Sequence, residues 1–300
     1  MTTAPAVRGL WLGLLGVCIF AITIPMTRIA AGTTEDPAMS AGFIAMGRAA
    51  VAGLLSLAFI RLTRAPRPQK ADWPPLIVSA LGVVFGFPLL LSWALRYVPA
   101  VHASVVLGVL PLITAMVGAW LHRQRPSPLF WLCAASGSAL VMVYAVWQTP
   151  GGQTTMTLDA ADLALLVATL CAAVGYGFGA RLSHHLRAEH VICWSLVISL
   201  PVTLPYTWWH WPQETLPLRC WLAFGYLSVF SMWLGFFAWF RGLALGGTVR
   251  VSQVQLAQPF IAMVFAVPLL GERLDVTSLA FATAVIVTVF MGRRAAVRSS

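Results

Sequence analysis

Charged side chains are scarce in this chain, at 9% of residues, while 59% are hydrophobic and the mean hydropathy is +0.84. A water-soluble domain of this length needs far more polar surface than that, so the composition excludes a soluble enzyme or soluble binding module. Acids are scarcer still. The nine Asp and Glu can all be placed in loops or near the ends of apolar runs. Carriers driven by protons or sodium bury a carboxylate that titrates or coordinates the ion, so ion coupling of that kind is not expected. The five cysteines, Cys18, Cys133, Cys171, Cys193 and Cys220, are odd in number and scattered in or beside apolar segments. They are read as free thiols, not as a disulfide framework. No P-loop, acid-rich metal-diphosphate motif or nucleophile elbow is present, which leaves a primary pump or an intramembrane enzyme without its machinery.

Long apolar runs are what the chain has in abundance. Segments of the length a helix needs to span ~30 Å of hydrocarbon cover Val7 to Ala31, Ala38 to Leu62, Trp73 to Val98, Ala100 to Leu121 and Pro128 to Trp147. A second set covers Ala161 to Leu182, Val191 to Trp208, Leu218 to Leu243, Thr248 to Leu270 and Val276 to Gly292. The first run is long enough to span and is followed by nine more, so it is read as retained and not as a signal peptide.

The two sets correspond. Val101-His102-Ala103-Ser104, Pro111, Ile113 and Arg125 return 148 positions later as Val249-Arg250-Val251-Ser252, Pro259, Ile261 and Arg273. Cys18 and Arg28 match Cys171 and Arg181 at a shift of 153. Because five is odd, the second copy must cross the bilayer in the opposite sense. The expected fold is therefore all-α and integral to the membrane, with ten transmembrane helices as two inverted five-helix repeats, 1–150 and 151–300, around a central cavity.

Basic residues orient the chain. With the N-terminus inside, fourteen of the nineteen Lys and Arg fall in inner loops, four fall outside, and Arg48 lies within segment 2. This places both termini in the cytoplasm. The net charge of +10 is then largely this asymmetry plus contact with anionic lipid, at ~1 kcal/mol per juxtamembrane cation, and it is no signal for nucleic acid. Trp73, Trp147 and Trp208-Trp209-His210-Trp211 suit an interfacial aromatic belt.

One stretch reads Ala94-Leu95-Arg96-Tyr97-Val98-Pro99-Ala100 ahead of Ser104 and Pro111, and its counterpart runs from Leu243 and Ser252 through Pro259 to Leu269-Leu270-Gly271-Glu272-Arg273-Leu274. These residues resemble the drug/metabolite transporter superfamily, in its EamA-type ten-helix exporters, over nearly the whole chain. The first half departs from the pattern, carrying His122-Arg123-Gln124-Arg125 where the second has Leu-Gly-Glu-Arg-Leu. The resemblance implies alternating-access export of small metabolites, often amino acids, through a cavity lined by helices 1, 3, 4, 6, 8 and 9. It further implies a multi-pass protein of a bacterial-type inner membrane, a small-molecule substrate, no cofactor and no metal; a monomer is expected.

Several residues are candidates for that cavity. Ser104, Pro111, Thr114 and Gly118 form one small, mildly polar face, and Ser252, Gln255, Pro259, Ala262 and Ala266 form its counterpart. Pro111 and Pro259 each free a carbonyl one turn back, and bent helices at matching positions of two repeats point to a midplane site. Packing kinks are the competing reading. Gln255 and Gln258 can both donate and accept toward a zwitterion, or join helices as hydrogen-bond glue. Tyr226, Phe230, Trp233 and Phe237 make an aromatic stripe at i, i+4, i+7 and i+11. Trp93 with Tyr97, Pro25 with Met26 and Tyr176 with Phe178 extend the aromatic and apolar set for stacking on a flat side chain, unless they serve only packing. Arg48, deep in segment 2, costs ~2.5 to 3.5 kcal/mol to insert and needs either a substrate carboxylate or backbone carbonyls to offset that.

Other patterns carry no such chemistry. Gly175-Tyr176-Gly177-Phe178-Gly179 lies inside an apolar run with no preceding strand, so it is a small-residue packing surface and not a phosphate cradle. His184, His185, Glu189 and His190 lack a zinc spacing. Among alternatives, a broad drug, sugar or nucleotide-sugar carrier of the same fold would favour phosphate-directed cations within the helices, and only Arg48 qualifies. An amino acid exporter for aromatic or large neutral side chains is the most specific expectation.

Overall fold

In hydrocarbon every backbone N–H and C=O must be paired within the protein, which turns apolar runs of spanning length into helices. The computed structural model describes residues 4–32, 38–95, 97, 103, 106–147, 160–258, 260–261, 264–265, 276–294 and 297–299. In chain order the elements are α1 (Ala4–Ala31), α2 (Ala41–Leu62), α3 (Lys70–Ala94), α4 (Leu110–Leu121), β1 (Gln124–Pro126) and α5 (Pro128–Trp147). Then follow α6 (Ala160–Leu182), α7 (Ala188–Trp209), α8 (Leu218–Gly246), α9 (Thr248–Val251, prolonged by a 3-10 turn over Ser252–Ala257), α10 (Val276–Arg294) and β2 (Val297–Ser299). Six of these, α1, α2, α3, α6, α7 and α8, are long and apolar enough to cross a membrane. The short antiparallel ladder of β1 on β2, with Arg125 opposite Arg298, departs from the all-helical expectation.

Small residues decide which helices meet. α1 packs along α8, α3 along α6, α2 along α7, α4 against α6 and α9, and α5 along α10. At the α1–α8 crossing a Cβ on Gly9 would overlap the backbone of Gly246, and one on Gly242 would sit 2.6 Å from the Gly13 nitrogen. At the α3–α6 crossing a Cβ on Gly82 would strike the Cys171 carbonyl, and Ser79 Oγ donates to Gly175 O at 3.1 Å. Gly247, at φ 81°, turns the chain from α8 directly into α9 in a region that glycine adopts without steric cost.

α1, α3 and α8 are irregular inside the membrane-spanning part, besides the 3-10 turn of α9. α1 is interrupted at Ile22, where Pro25 cannot donate to the carbonyl four residues back. α3 holds a π segment over Leu81–Gly86 and α8 another over Leu227–Leu234, a form that concentrates at functional sites. The α1 break faces the α8 π segment. Thr23 Oγ1 and Ser231 Oγ lie 2.8 Å apart, and the Tyr226 hydroxyl donates to Ile19 O at 2.9 Å. Tyr226→Phe is expected to cost about 1 kcal/mol, the net worth of one such bond, read as a lowered melting temperature in detergent.

Pro111 does not sit in the middle of a helix. α4 begins at Leu110, so Pro111 lies in its first turn, after a turn at residues 108–109. There the missing N–H has no intrahelical acceptor to satisfy, and the expected bend becomes a helix start. Pro259 lies outside the described residues.

Candidate functional site

The centre of the bundle is built from a cation and aromatic rings contributed by four helices. Arg48 on α2 is 5% exposed, and its Nε has no hydrogen-bond partner among the described residues. The ion pairs His185–Asp72, Arg187–Glu189 and Arg241–Glu189 lie at helix ends and do not involve it. Tyr176 on α6 is its ionisable neighbour, close enough for their charges to interact. The Tyr176 ring lies 5.5 Å from Trp239 and 6.1 Å from Phe236, both on α8, and Phe20 of α1 lies 5.1 Å from Phe236. Trp239 is fully buried and its Nε1 is also without a partner. Two unpaired N–H donors therefore lie in one core, joined through the Tyr176 ring, and among the described residues no acid accompanies them. Buried donors of this kind are costly unless an acceptor meets them.

The remaining expected residues fall elsewhere. Trp233 and Phe237 turn toward α2 and α7, where Phe59 lies 6.0 Å and 5.5 Å from them and Trp233 Nε1 donates to Cys193 Sγ at 3.3 Å. Trp93 and Tyr97 pack against each other with ring centroids 4.8 Å apart and planes tilted by 52°, and both are exposed. Met26 packs in a separate apolar cluster with Phe43 and Phe224, and Pro25 is half-buried.

Thr114 and Gly118 of α4 face the start of α9. A Cβ on Gly118 would meet Thr248 at 2.7 Å. Along this seam Pro111 is buried, Thr114 Oγ1 and Gln255 Oε1 are buried without partners, Ser252 donates to Val249 O at 3.0 Å, and Gln258 is half-buried. Ser104 and Pro259 lie outside the described residues.

Phe20, Phe236 and Trp239 were not on the expected list. Their signal is the glycine spacing of α8: Gly235, Trp239, Gly242 and Gly246 stand at i, i+4, i+7 and i+11, the face that α1 approaches most closely. Of the expected aromatic stripe, Tyr226 reaches α1, while Trp233 and Phe237 occupy another face. Nine residues separate Phe237 from Gly246, which is two and a half turns and so the opposite side of the helix.

A bundle of membrane-length helices with π segments at its inner crossings and a buried cation that forms no ion pair with the described residues has the form of a multi-pass transporter. A sequence model of the EamA-like transporter family matches residues 7–145 and again residues 159–292, and the chain belongs to that family. A Bacillus subtilis (strain 168) protein described as an uncharacterized transporter, YdeK, is 41% identical over 284 residues, spanning 94% of this chain and 96% of that protein. A second transporter of the same organism, YyaM, is 23% identical over 273 residues, with 86% and 85% covered. A solved crystal structure superimposes with a TM-score of 0.77 over 95% of this chain and 96% of its own at 18% identity, a likeness of fold.

Proposed function

We propose that the chain is a ten-helix alternating-access carrier, built as two inverted five-helix repeats, 1–150 and 151–300, that moves an amino acid with an aromatic or large neutral side chain outward. The observation that carries the substrate reading is Arg48, a buried cation with no counter-ion among the described residues, next to Tyr176, whose ring packs on those of Phe236 and Trp239. A substrate carboxylate supplies the missing acceptors, and a flat side chain stacks on the rings. Gln255 and Thr114 on the α4–α9 seam are the neutral polar groups within reach of an ammonium or backbone end as the seam moves.

The repeat reading is supported by the way the helices pair. Exchanging α1–α5 for α6–α10 converts α1 on α8 into α6 on α3, α4 on α6 into α9 on α1, and α2 on α8 into α7 on α3, and each of these pairs is in contact. α2 on α7, α4 on α9 and α5 on α10 convert into themselves. The π segments of α3 and α8 and the double match of the family model support it further. Acids do not reach the middle of the described spans: Asp72, Asp162 and Glu189 stand in the first turns of α3, α6 and α7, and Glu214 is in a loop. That supports uncoupled flux or exchange. Both termini are read as cytoplasmic, in a bacterial-type inner membrane, and the unit as a monomer.

Counterflow tests the proposal. Proteoliposomes preloaded with unlabelled amino acids should accumulate labelled phenylalanine and tryptophan, alanine less and glutamate least, and without preloaded substrate an imposed pH or sodium gradient at clamped potential should drive no net accumulation. Accumulation of sugars or cationic drugs instead, or net accumulation driven by either gradient, overturns it.

A further inference from the structure

The ends of α4, α6 and α9 meet through histidine. His122 closes α4, and its ring lies 5.4 Å from that of His184, edge to face, in the turn after α6. Its Nε2 lies 3.4 Å from Thr248 Oγ1 at the start of α9, just beyond the close contact of Gly118 with Thr248. Next to this, His185 Nε2 meets Asp72 Oδ1 at 2.8 Å, while Asp72 Oδ2 accepts the Gln69 N–H at 2.9 Å. Each of these cross-helix contacts joins a residue of the first half to one of the second. All lie at one end of the bundle, the end that carries the α2–α3, α4–α5 and α6–α7 connections.

The surroundings of the rings are unequal. His122 is faced by His184 and Arg181 from α6 and its turn and by the Thr248 hydroxyl from α9, and Arg123 follows it on its own element. His184 is faced by His122 and His185, and the acid of this cluster, Asp72, is engaged by His185. His185 has an anion beside it. Among the described residues the groups that face His122 are imidazoles, a guanidinium and a hydroxyl.

We infer that the His122–His184 pair is a pH-sensitive latch, holding the ends of α4, α6 and α9 together while both rings are neutral and releasing them when acid protonates the rings. The direction follows from linkage. Burial first, then His184 and Arg181, hold His122 below the ordinary imidazole range, and burial followed by His185 does the same to His184. The latched form therefore binds fewer protons than a parted form whose rings titrate near pH ~6.5. Its stability is fully present above that value and is lost as pH falls through the lowered one. The Asp72–His185 contact joins α3 to the turn after α6 separately from the His122–His184 pair, so α3 and α6 stay tied while the α4–α9 seam opens. Opening at this end serves a carrier as its loading or release step, which rests on the transport reading above; the motion itself does not.

The test is a distance. Spin labels at Pro128→Cys and Arg187→Cys, in a background without the native cysteines and in lipid nanodiscs, should separate by roughly a helical turn, about 5 Å, as the pH falls from about 8 to about 5.5 across the imidazole range. His122→Gln and His184→Gln should each keep the short distance throughout. His122→Arg, a permanent cation, should show the long distance already at the higher pH, and His185→Asn should leave the shift in place. An unchanged distance in the parent protein across this range overturns the latch, as does a full shift surviving in His122→Gln. No substrate is needed, so a carrier with a different cargo would still show the motion, and negative counterflow leaves the outcome readable.

Discussion

Arg48→Met is expected to abolish counterflow of carboxylate-bearing substrates while leaving the folded protein as stable as before or more so. The two readouts move in opposite directions because Arg48 has two roles to fill. As a structural group it is a liability: a cation at mid-helix costs ~2.5 to 3.5 kcal/mol to insert, and its Nε finds no acceptor among the described residues. Methionine fills similar volume without that cost. As a binding group it is the half of an ion pair that the substrate completes, and removing one partner of a buried pair costs ~3 to 5 kcal/mol, at least a hundredfold in affinity. Arg48→Lys should recover only part of this, since a point charge does not reproduce the two-pronged geometry of guanidinium on carboxylate. Decarboxylated amines should lose less on substitution than the parent amino acids. Arg48→Met with lowered stability and intact counterflow would make Arg48 a structural residue held by its own surroundings, and the substrate reading would fall with it.

Much of the fold was legible because a hydrocarbon solvent permits so few solutions. The expected segment Pro128 to Trp147 is α5 to the residue, and Ala161 to Leu182 begins one residue inside α6. Apolar length and turn chemistry set those limits locally. The site was legible only in part, and for a physical reason. Large apolar side chains fill most of α8, and the aromatic rings of Trp233 and Phe237 draw attention to one face while Gly235, Gly242 and Gly246 mark the other. Tyr176 and Arg48 could be singled out by residue type, yet their proximity to each other is a long-range property of the α2, α6 and α8 packing. His122 and His184 were separate loop residues until the α4–α6 crossing set their rings 5.4 Å apart. Pro111 illustrates the limit from the other direction. Proline forbids a donor wherever it stands, but whether that bends a helix or begins one depends on the turn at residues 108–109.

Gly242→Ala is expected to destabilise the protein by about 1 to 3 kcal/mol, the range for overpacking a tight contact, and Gly242→Leu to prevent recovery of folded protein from the membrane. The reason is what the added carbon would meet: the nitrogen of Gly13 at 2.6 Å, its Cα at 2.9 Å and the Gly9 carbonyl at 2.9 Å. All three are backbone atoms of α1, and none can rotate away. The whole helix must retreat, and with it the Phe20 contact to Phe236 and the Thr23–Ser231 hydrogen bond, so the damage extends from the crossing to the centre of the bundle. Small residues at such a crossing replace the hydrophobic drive that lipid cannot supply, since helices in a bilayer associate through close packing. Gly225 on the same helix is the control, because a Cβ there would meet nothing within 4 Å. Gly225→Ala should therefore be neutral or stabilising by roughly 0.5 to 1 kcal/mol, the ordinary gain of replacing a mid-helix glycine. Thermal unfolding in detergent, with both variants made in parallel, separates the two cases by sign. Equal losses would mean that helix flexibility, and not the approach of α1 to α8, is what these glycines supply, whereas a loss at Gly242 alone ties the stability of the carrier to that single crossing.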